Sequence, residues 1–221
     1  MTEKFQNKYR SASHRRPKWD YSADALYFLT IVTQHRKCIL GKIETMNGRA
    51  YPKLSTFGKI VEHEWLKSFE IRRELLLHEF VIMPNHLHAI VEINNKNRDE
   101  ATSGTHGCAY PQGQTNETMP TDNDIPSIKR NPPIRLPKSI SSFIAGFKSA
   151  VNTKIDDYID EHQLDIPKYN RNNHFFLPNY HDHIVRNQRE YIRIKNYIIN
   201  NPKNWKKDSF SQRKAERING Q

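Results

Sequence analysis

Two closely spaced histidines are the first candidates for chemistry in this sequence. His86 and His88 are two residues apart in an otherwise largely apolar stretch that ends at Ile93. Alternate residues of a strand point to the same face, so the two imidazoles would lie side by side while Leu87 faces a core. Each neutral imidazole can offer one ring nitrogen to a divalent cation, so the pair could form half of a metal site. Two histidines on a solvated face of the strand are the simpler alternative.

A tyrosine near the C-terminal end is the candidate nucleophile. Arg193, Tyr197 and Asn201 are four residues apart, and at about 100° per residue they form one stripe of a helix. This stripe borders a broad apolar arc that would bury the helix, made of Tyr191, Ile192, Ile194, Ile198 and Ile199. A phenol held at the edge of a core could attack an electrophile. Alternatively, its ring covers the core and its hydroxyl only reaches water.

A third polar cluster precedes that helix, in the sequence Tyr180-His181-Asp182-His183. His183, with Asp182 beside it, could supply a third metal ligand or orient one. The cluster could equally be a polar loop, and the residues alone leave both possibilities open.

Hydrophobic periodicity predicts the elements that would hold these residues. Strands are expected at 25–33, 75–83 and 86–93, with a turn at Pro84-Asn85 that makes a hairpin of the last two. Helices are expected at 55–69, 139–159 and 190–201, the last ended by Pro202. This order predicts an α+β fold, with one antiparallel sheet covered by helices as in ferredoxin-like folds.

Composition limits the class of protein and its partners. The chain has 221 residues, enough for one domain, and a net charge of +11 that suggests a polyanionic partner. Most of the excess lies in a basic arm at 1–18 and a basic tail at 206–221, although such ends can also serve solubility alone. Residues 94–138, rich in Asn, Thr, Gly and Pro, are expected to be a flexible insertion in a domain spanning 19–205. The two cysteines and the absence of a long apolar run favour a cytoplasmic protein.

Several motifs accompany these clusters in a fixed order. They are His14-Arg15-Arg16-Pro17, Trp19-Asp20-Tyr21, Tyr27 to Thr33, Phe57 to Val61, Met83-Pro84-Asn85-His86-Leu87-His88, Gly146 to Val151, Tyr180 to Asn187 and Tyr197 to Pro202. In order and spacing they resemble the single-tyrosine transposases of the HUH nuclease group, most closely the REP-associated tyrosine transposases. The resemblance covers about residues 14–205 without the insertion at 94–138.

The resemblance implies a fold, a site and a reaction. The fold would be the ferredoxin-like, RRM-like fold of HUH nucleases, with His86 and His88 as metal ligands and Tyr197 as the catalytic residue. Asn201, where relatives often have glutamine, would be the third ligand of a Mg²⁺ or Mn²⁺ ion, with His183 in reserve. The substrate would be single-stranded DNA carrying a hairpin, cut through a 5′-phosphotyrosine by a monomer or a homodimer.

Basic residues outside the apolar stripes are expected to contact DNA. Arg15 and Arg16 lie in the basic arm, Lys148 and Lys154 point away from the apolar stripe of their helix, and Arg193 precedes Tyr197 by one turn. Phosphate contacts of this kind would make binding depend on salt.

Two other functions remain open from the sequence. One is a hairpin-binding protein with this scaffold that has lost turnover. The other is a zinc hydrolase built from His86, His88 and His183, which would use a metal-bound water and form no covalent adduct.

Overall fold

The computed structural model describes residues 4–5, 8–9, 19–95, 138–170, 172–208 and 210–211. Arg15, Arg16, most of the basic arm and tail, and nearly all of the predicted insertion at 94–138 lie outside these residues. The strands are β1 (Lys4–Phe5), β2 (Lys8–Tyr9), β3 (Ala25–Val32), β4 (Gly41–Met46), β5 (Arg49–Leu54), β6 (Leu75–Met83), β7 (His86–Ile93) and β8 (His181–Val185). The helices are α1 (Thr56–Ile71), α2 (Ile140–Glu161) and α3 (Gln188–Asn204), with 3₁₀ turns at Gln34–Arg36 and Trp205–Lys207.

Four strands form the central sheet, in the order β6-β7-β3-β8. Every neighbouring pair in it is antiparallel. With α1 after β3 and α2 after β7, the chain follows the β-α-β-β-α-β path of ferredoxin-like folds. The predicted α+β class with an antiparallel sheet covered by helices is confirmed.

One face of the sheet carries the main hydrophobic core. Leu87 and the alternate residues after it on β7 pack with Trp65 of α1 and with Phe143 and Phe147 of α2. The periodicity that predicted these helices therefore identifies their buried faces. Because this face takes the odd-numbered residues of β7, the even-numbered ones, His86 and His88 among them, must face the other way.

Helix α3 covers part of the opposite face. Ile194 and Ile198 pack there with Ile90 of β7 and Val185 of β8 in a second, smaller cluster. Asn187 caps the start of the helix, because its side chain accepts a hydrogen bond from the backbone N–H of Glu190. Tyr197 is thus fixed beside a buried residue, Ile198, on the face that holds the two histidines.

Several expectations need correction. Residues 181–185, for which a polar loop was one of two open possibilities, form the edge strand β8, because they complete the ladder on β3. Pro202 does not end α3 but lies in its last turn, where its fixed φ suits a helix and only one hydrogen bond is lost. The buried arc of α3 is narrower than predicted, since Ile192 and Ile199 are exposed. The hairpin β4-β5 was not predicted.

Among the described residues, no helix combines the length and the apolar character needed to cross a membrane.

Candidate active site

The register of the sheet aligns a row of polar side chains on the face that α3 partly covers. His88 of β7 pairs with Thr30 of β3, and Thr30 pairs in turn with His181 of β8. His86 pairs with Val32 at the end of the sheet where the β6-β7 turn lies. Because paired residues of neighbouring strands share a face, these side chains lie next to one another.

His86 and His88 are buried rather than solvated. Their exposed fractions are 0% and 2%, and their ring centroids are 4.4 Å apart. The Phe210 ring covers both, at 4.8 Å from His86 and 6.2 Å from His88. Burial lowers the pKa of His86 to about 3. Burial, reinforced by the positive charge that a protonated His86 would place beside it, holds the pKa of His88 well below its usual range, so both imidazoles are neutral near pH 7.

Asn85 determines which nitrogen of His86 is available. Its Nδ2 donates to the backbone carbonyls of Arg36, at 2.9 Å, and Phe210, at 2.7 Å. Its Oδ1 therefore faces His86 Nδ1, which lies 2.9 Å away and must donate to it. The neutral ring then carries its lone pair on Nε2, and this buried atom has no hydrogen-bond partner among the described residues. An oriented, unpartnered imidazole nitrogen is what a metal site requires.

His88 connects the sheet to the candidate nucleophile. Its Nδ1 is 2.9 Å from Thr30 Oγ1, and its Nε2 is 3.2 Å from the Tyr197 hydroxyl. Tyr197 is 45% exposed, and its ring is nearly perpendicular to that of Phe28, with the two centroids 6.1 Å apart. Burial of the hydroxyl, followed by the charge of Asp208, raises the pKa of Tyr197, while a hydrogen bond with Asn201 lowers it. The structure therefore brings His86, His88 and Tyr197 together, with a protonated phenol.

Asp208 is a member of the site that the sequence did not suggest. Its carboxylate and one ring nitrogen from each of His86 and His88 all lie within 4.8 Å of one another. Asn201 lies close to Tyr197, since the two side chains share a hydrogen bond. Its buried Oδ1 has no hydrogen-bond partner in the described part of the chain. Two imidazoles and a carboxylate grouped in this way are donors that could hold a divalent metal ion.

His183, the reserve ligand, is engaged elsewhere. Its Nε2 lies 2.8 Å from Glu190 Oε1, and it pairs with Phe28 on the far side of β3 from His88. Arg193 also contacts Glu190, at 3.4 Å, and its side chain is 71% exposed. The structure thus places His183 in a pair with Glu190 and groups Asp208 with the other two histidines.

Both lysines expected at DNA have protein contacts. Lys148 Nζ donates to the carbonyls of Leu177, at 2.7 Å, and Pro178, at 3.2 Å. Lys154 pairs with Asp157 on the surface of α2. Their contact with DNA stays a prediction, and Lys148 has a second role in holding the 177–178 loop.

A cavity of about 790 Å³ opens beside the candidate nucleophile. Its floor is the uncovered half of the sheet, at Phe28, Thr30 and His183, and α3 forms one wall with Arg193 and Tyr197. The 177–180 segment and Phe210 form the remaining walls. Tyr197 therefore borders a space that a ligand can enter.

Known proteins resemble this chain at low sequence identity. It matches no protein-family model. It is 26% identical over 213 residues to an uncharacterized protein of Haemophilus influenzae, across 92% of this chain and 97% of that one.

Two solved structures have a chain path similar to that of this protein. One is a REP-associated tyrosine transposase bound to a REP hairpin, with 16% identity and a TM-score of 0.46, over 95% of this chain and 87% of that one. The other is a candidate transposase from Deinococcus radiodurans, with 13% identity and a TM-score of 0.35. The match covers 84% of this chain and 95% of that one.

Proposed function

We propose that this protein is a metal-dependent enzyme that cuts and rejoins single-stranded DNA through Tyr197. The observation that carries the proposal is the 3.2 Å approach of the Tyr197 hydroxyl to His88 Nε2, beside the oriented, unpartnered Nε2 of His86. A nucleophile next to a set of metal-binding donors suits phosphoryl transfer, where charge on the phosphate must be offset. The motif resemblance to REP-associated tyrosine transposases supports the same reaction.

The reaction exchanges one phosphate ester for another. The Tyr197 oxygen forms a bond to phosphorus, and the bond from phosphorus to the 3′ oxygen of the upstream nucleotide breaks. The upstream strand leaves with a free 3′-hydroxyl, which takes up a proton, and the downstream strand stays attached through a 5′-phosphotyrosine. Attack by a 3′-hydroxyl reverses the step and joins strands, so no nucleotide cofactor is needed.

The surrounding residues prepare the phenol for this step. With its Nδ1 donating to Thr30, His88 accepts a hydrogen bond from the Tyr197 hydroxyl at Nε2 and holds the phenol beside the donor set; in holding a cation, the same nitrogen would give up this hydrogen bond. His86, His88, Asp208 and Asn201 are the residues that would hold the cation. When bound, Mg²⁺ or Mn²⁺ supplies positive charge that polarises the scissile phosphate and favours the phenolate.

The proposed substrate is single-stranded DNA with a hairpin, as the resemblance implies. The basic arm and tail, together with exposed Arg193, would neutralise phosphates of the strand. Both a monomer and a homodimer are compatible with this chemistry.

A covalent-adduct assay tests the proposal. The full chain is incubated with Mn²⁺ and hairpin oligonucleotides labelled downstream of their unpaired segments, and denaturing gels are examined for labelled protein. The wild type should form the adduct and Tyr197→Phe should not. Tyr191→Phe is the matched control, because that phenol lies on the same helix but contacts His78.

The two other candidate functions give different results in the same assay. A hairpin-binding protein without turnover would retard the oligonucleotide but leave it intact. A zinc hydrolase would cleave without an adduct, and Tyr197→Phe would keep most of its activity. Either result would contradict the proposal.

A further inference from the structure

We propose that three residues outside the set of metal-binding donors hold Asp208 in place as a carboxylate ligand of the candidate metal site. They are Arg36, Asn85 and Phe210, and together we call them the clamp. They are positioning residues, since they would act through Asp208 and not on the DNA. Because the clamp serves a bound cation, this proposal rests on the proposed function, and it adds the residues that bring the carboxylate to the two histidines.

Asp208 needs such support because no helix or strand carries it. Helix α3 ends at Asn204, and Asp208 follows the 3₁₀ turn Trp205–Lys207. Its Oδ1 accepts a hydrogen bond of 2.7 Å from the backbone N–H of Phe210. The position of Phe210 therefore determines the direction of the carboxylate. A carboxylate has two oxygens with several lone pairs, so this bond leaves acceptor capacity for a cation.

Phe210 is held by both its ring and its backbone. Its ring centroid lies 4.8 Å from that of His86 and 5.2 Å from the guanidinium carbon of Arg36. A guanidinium within about 6 Å of a ring centroid is attracted by the ring electrons. The carbonyl oxygen of Phe210 accepts the 2.7 Å hydrogen bond from Asn85 Nδ2. These contacts fix a residue that lies outside the helices and strands.

The turn that carries Arg36 has a backbone conformation that fits this role. His35 and Arg36 have φ angles of 55° and 54°, in the left-handed region that is unfavourable for residues other than glycine. The Arg36 N–H donates to the Thr33 carbonyl at 3.0 Å, and the Arg36 carbonyl accepts from Asn85 at 2.9 Å. One amide group, that of Asn85, thus joins this turn to Phe210. Strain of this kind persists where the surrounding contacts enforce it, and it concentrates at functional sites.

The clamp and the histidines are held by different parts of the fold. His86 and His88 belong to β7 in the middle of the sheet, whereas Asp208 depends on contacts made by Phe210. Loss of a clamp residue should therefore loosen the carboxylate and leave the imidazole of His88 in place. A loss of metal affinity that passes through Asp208 is the specific signature of the clamp.

Equilibrium binding of Mn²⁺ to the full chain, without DNA, tests the proposal. Free Mn²⁺ is counted by electron paramagnetic resonance, so no reaction is needed. Phe210→Leu should weaken the affinity about 10- to 100-fold, as is usual when a group that orients a ligand is lost. Arg36→Met should weaken it about 2- to 5-fold, the size of a cation–π contact at an exposed site.

Asp208→Asn shows whether the loss passes through the carboxylate. This variant keeps an oxygen for the hydrogen bond from Phe210 but removes the negative charge. In its background Phe210→Leu should lower the affinity less than about 2-fold, because residues that act through one group are not additive. An equal loss from Phe210→Leu in both backgrounds, or no loss in either, would overturn the proposal.

Two control variants match the changes in charge and in ring. Lys37→Met removes an exposed positive charge from the residue next to Arg36 and should not weaken Mn²⁺ binding, because a lost positive charge only reduces repulsion of the cation. Phe57→Leu removes a ring on the main-core side, where it contacts Tyr158 and Phe175, and should leave the affinity unchanged.

Arg36→Met decides the matter if Phe210→Leu does not fold, because it changes an exposed residue. An affinity equal to that of the wild type in this variant would overturn the clamp. The adduct assay on the wild type separates the two proposals. An adduct together with additive losses of Mn²⁺ affinity rejects only the clamp, and coupled losses without an adduct reject only the enzyme.

Discussion

Asn85 orients His86 through a single amide group. Its two donated hydrogen bonds hold the carbonyls of Arg36 and Phe210, and its oxygen accepts from His86 Nδ1. In the sequence Asn85 only indicates a turn after Pro84. Its role in orienting His86 depends on hydrogen bonds to Arg36 and Phe210. These residues are far away along the chain, so the role could not be predicted.

Removing this amide should weaken both metal binding and the fold. Asn85→Ala leaves two carbonyls and one imidazole N–H without their partner, which should cost about 1–3 kcal/mol of unfolding free energy. The affinity for Mn²⁺ should fall about 10- to 100-fold, as is usual when the group that orients a ligand is lost. Calorimetry and urea unfolding measure the two effects. Asn200→Ala, an exposed asparagine on α3, should change neither.

The buried histidines make the stability of the metal-free protein depend on pH. His86 has a pKa of about 3 in the folded chain and an ordinary value of 6.5 when unfolded, so only the unfolded state takes up its proton between these limits. Stability is therefore complete above pH 6.5 and is lost as the pH falls toward 3. At pH 5 the loss from His86 should be about 2 kcal/mol.

Urea unfolding in the presence of a chelator checks this sign. The free energy of unfolding should fall between pH 7 and pH 5, and His86→Gln should show a smaller decrease. His63→Gln, which changes an exposed histidine of α1, should behave like the wild type. A stability that rises on acidification would contradict the assigned burial.

Helix α3 positions Tyr197 through the buried side chain of the next residue, Ile198. Ile198 is 0% exposed in the small cluster on the active-site face, whereas Ile199 is 52% exposed. Ile198→Ala should therefore cost about 2–5 kcal/mol, and Ile199→Ala less than about 0.5 kcal/mol. Urea unfolding compares the two variants. Similar losses at both positions would show that α3 packs by a different face.

Long periodic elements could be predicted from the sequence, and short ones could not. β6, β7 and the two core helices have enough apolar residues at regular spacing to be located closely. β8 begins His181-Asp182-His183, and its polar residues look like a loop until β3 supplies a partner for its backbone. The β4-β5 hairpin has charged residues along its exposed side and no long apolar alternation, so it was missed.

The candidate site is assembled from distant parts of the chain. The alternation of β7 and the i, i+4 spacing on α3 identified His86, His88, Tyr197 and Asn201 as candidates. Asp208 follows the last helix in no periodic pattern, and only the packing of that segment against the histidines reveals it. Local spacing can identify residues on one element, but residues that tertiary packing brings together need the fold.

The basic arm should contribute to DNA affinity through charge alone. Replacing Arg15 and Arg16 together by alanine should reduce the slope of log affinity against log salt concentration by about 1.4, because two phosphate contacts to a single strand are lost. Binding of a hairpin oligonucleotide measured across a salt series checks this value. Lys168→Ala, which removes a lysine paired with Asp160, should leave the slope unchanged. An unchanged slope in the double variant would assign the two arginines to solvation.

The central claim is that Tyr197 acts together with His86 and His88 on one phosphate. Its most direct test is to locate the covalent bond between the protein and DNA. After reaction with a hairpin oligonucleotide and Mn²⁺, the protein is digested with nuclease and protease and its peptides are analysed by mass spectrometry. We expect a nucleotide joined through its 5′ phosphate to Tyr197, and none in a variant with His86 and His88 both replaced by alanine. A nucleotide on another residue, or an undiminished yield at Tyr197 without the histidines, would contradict it.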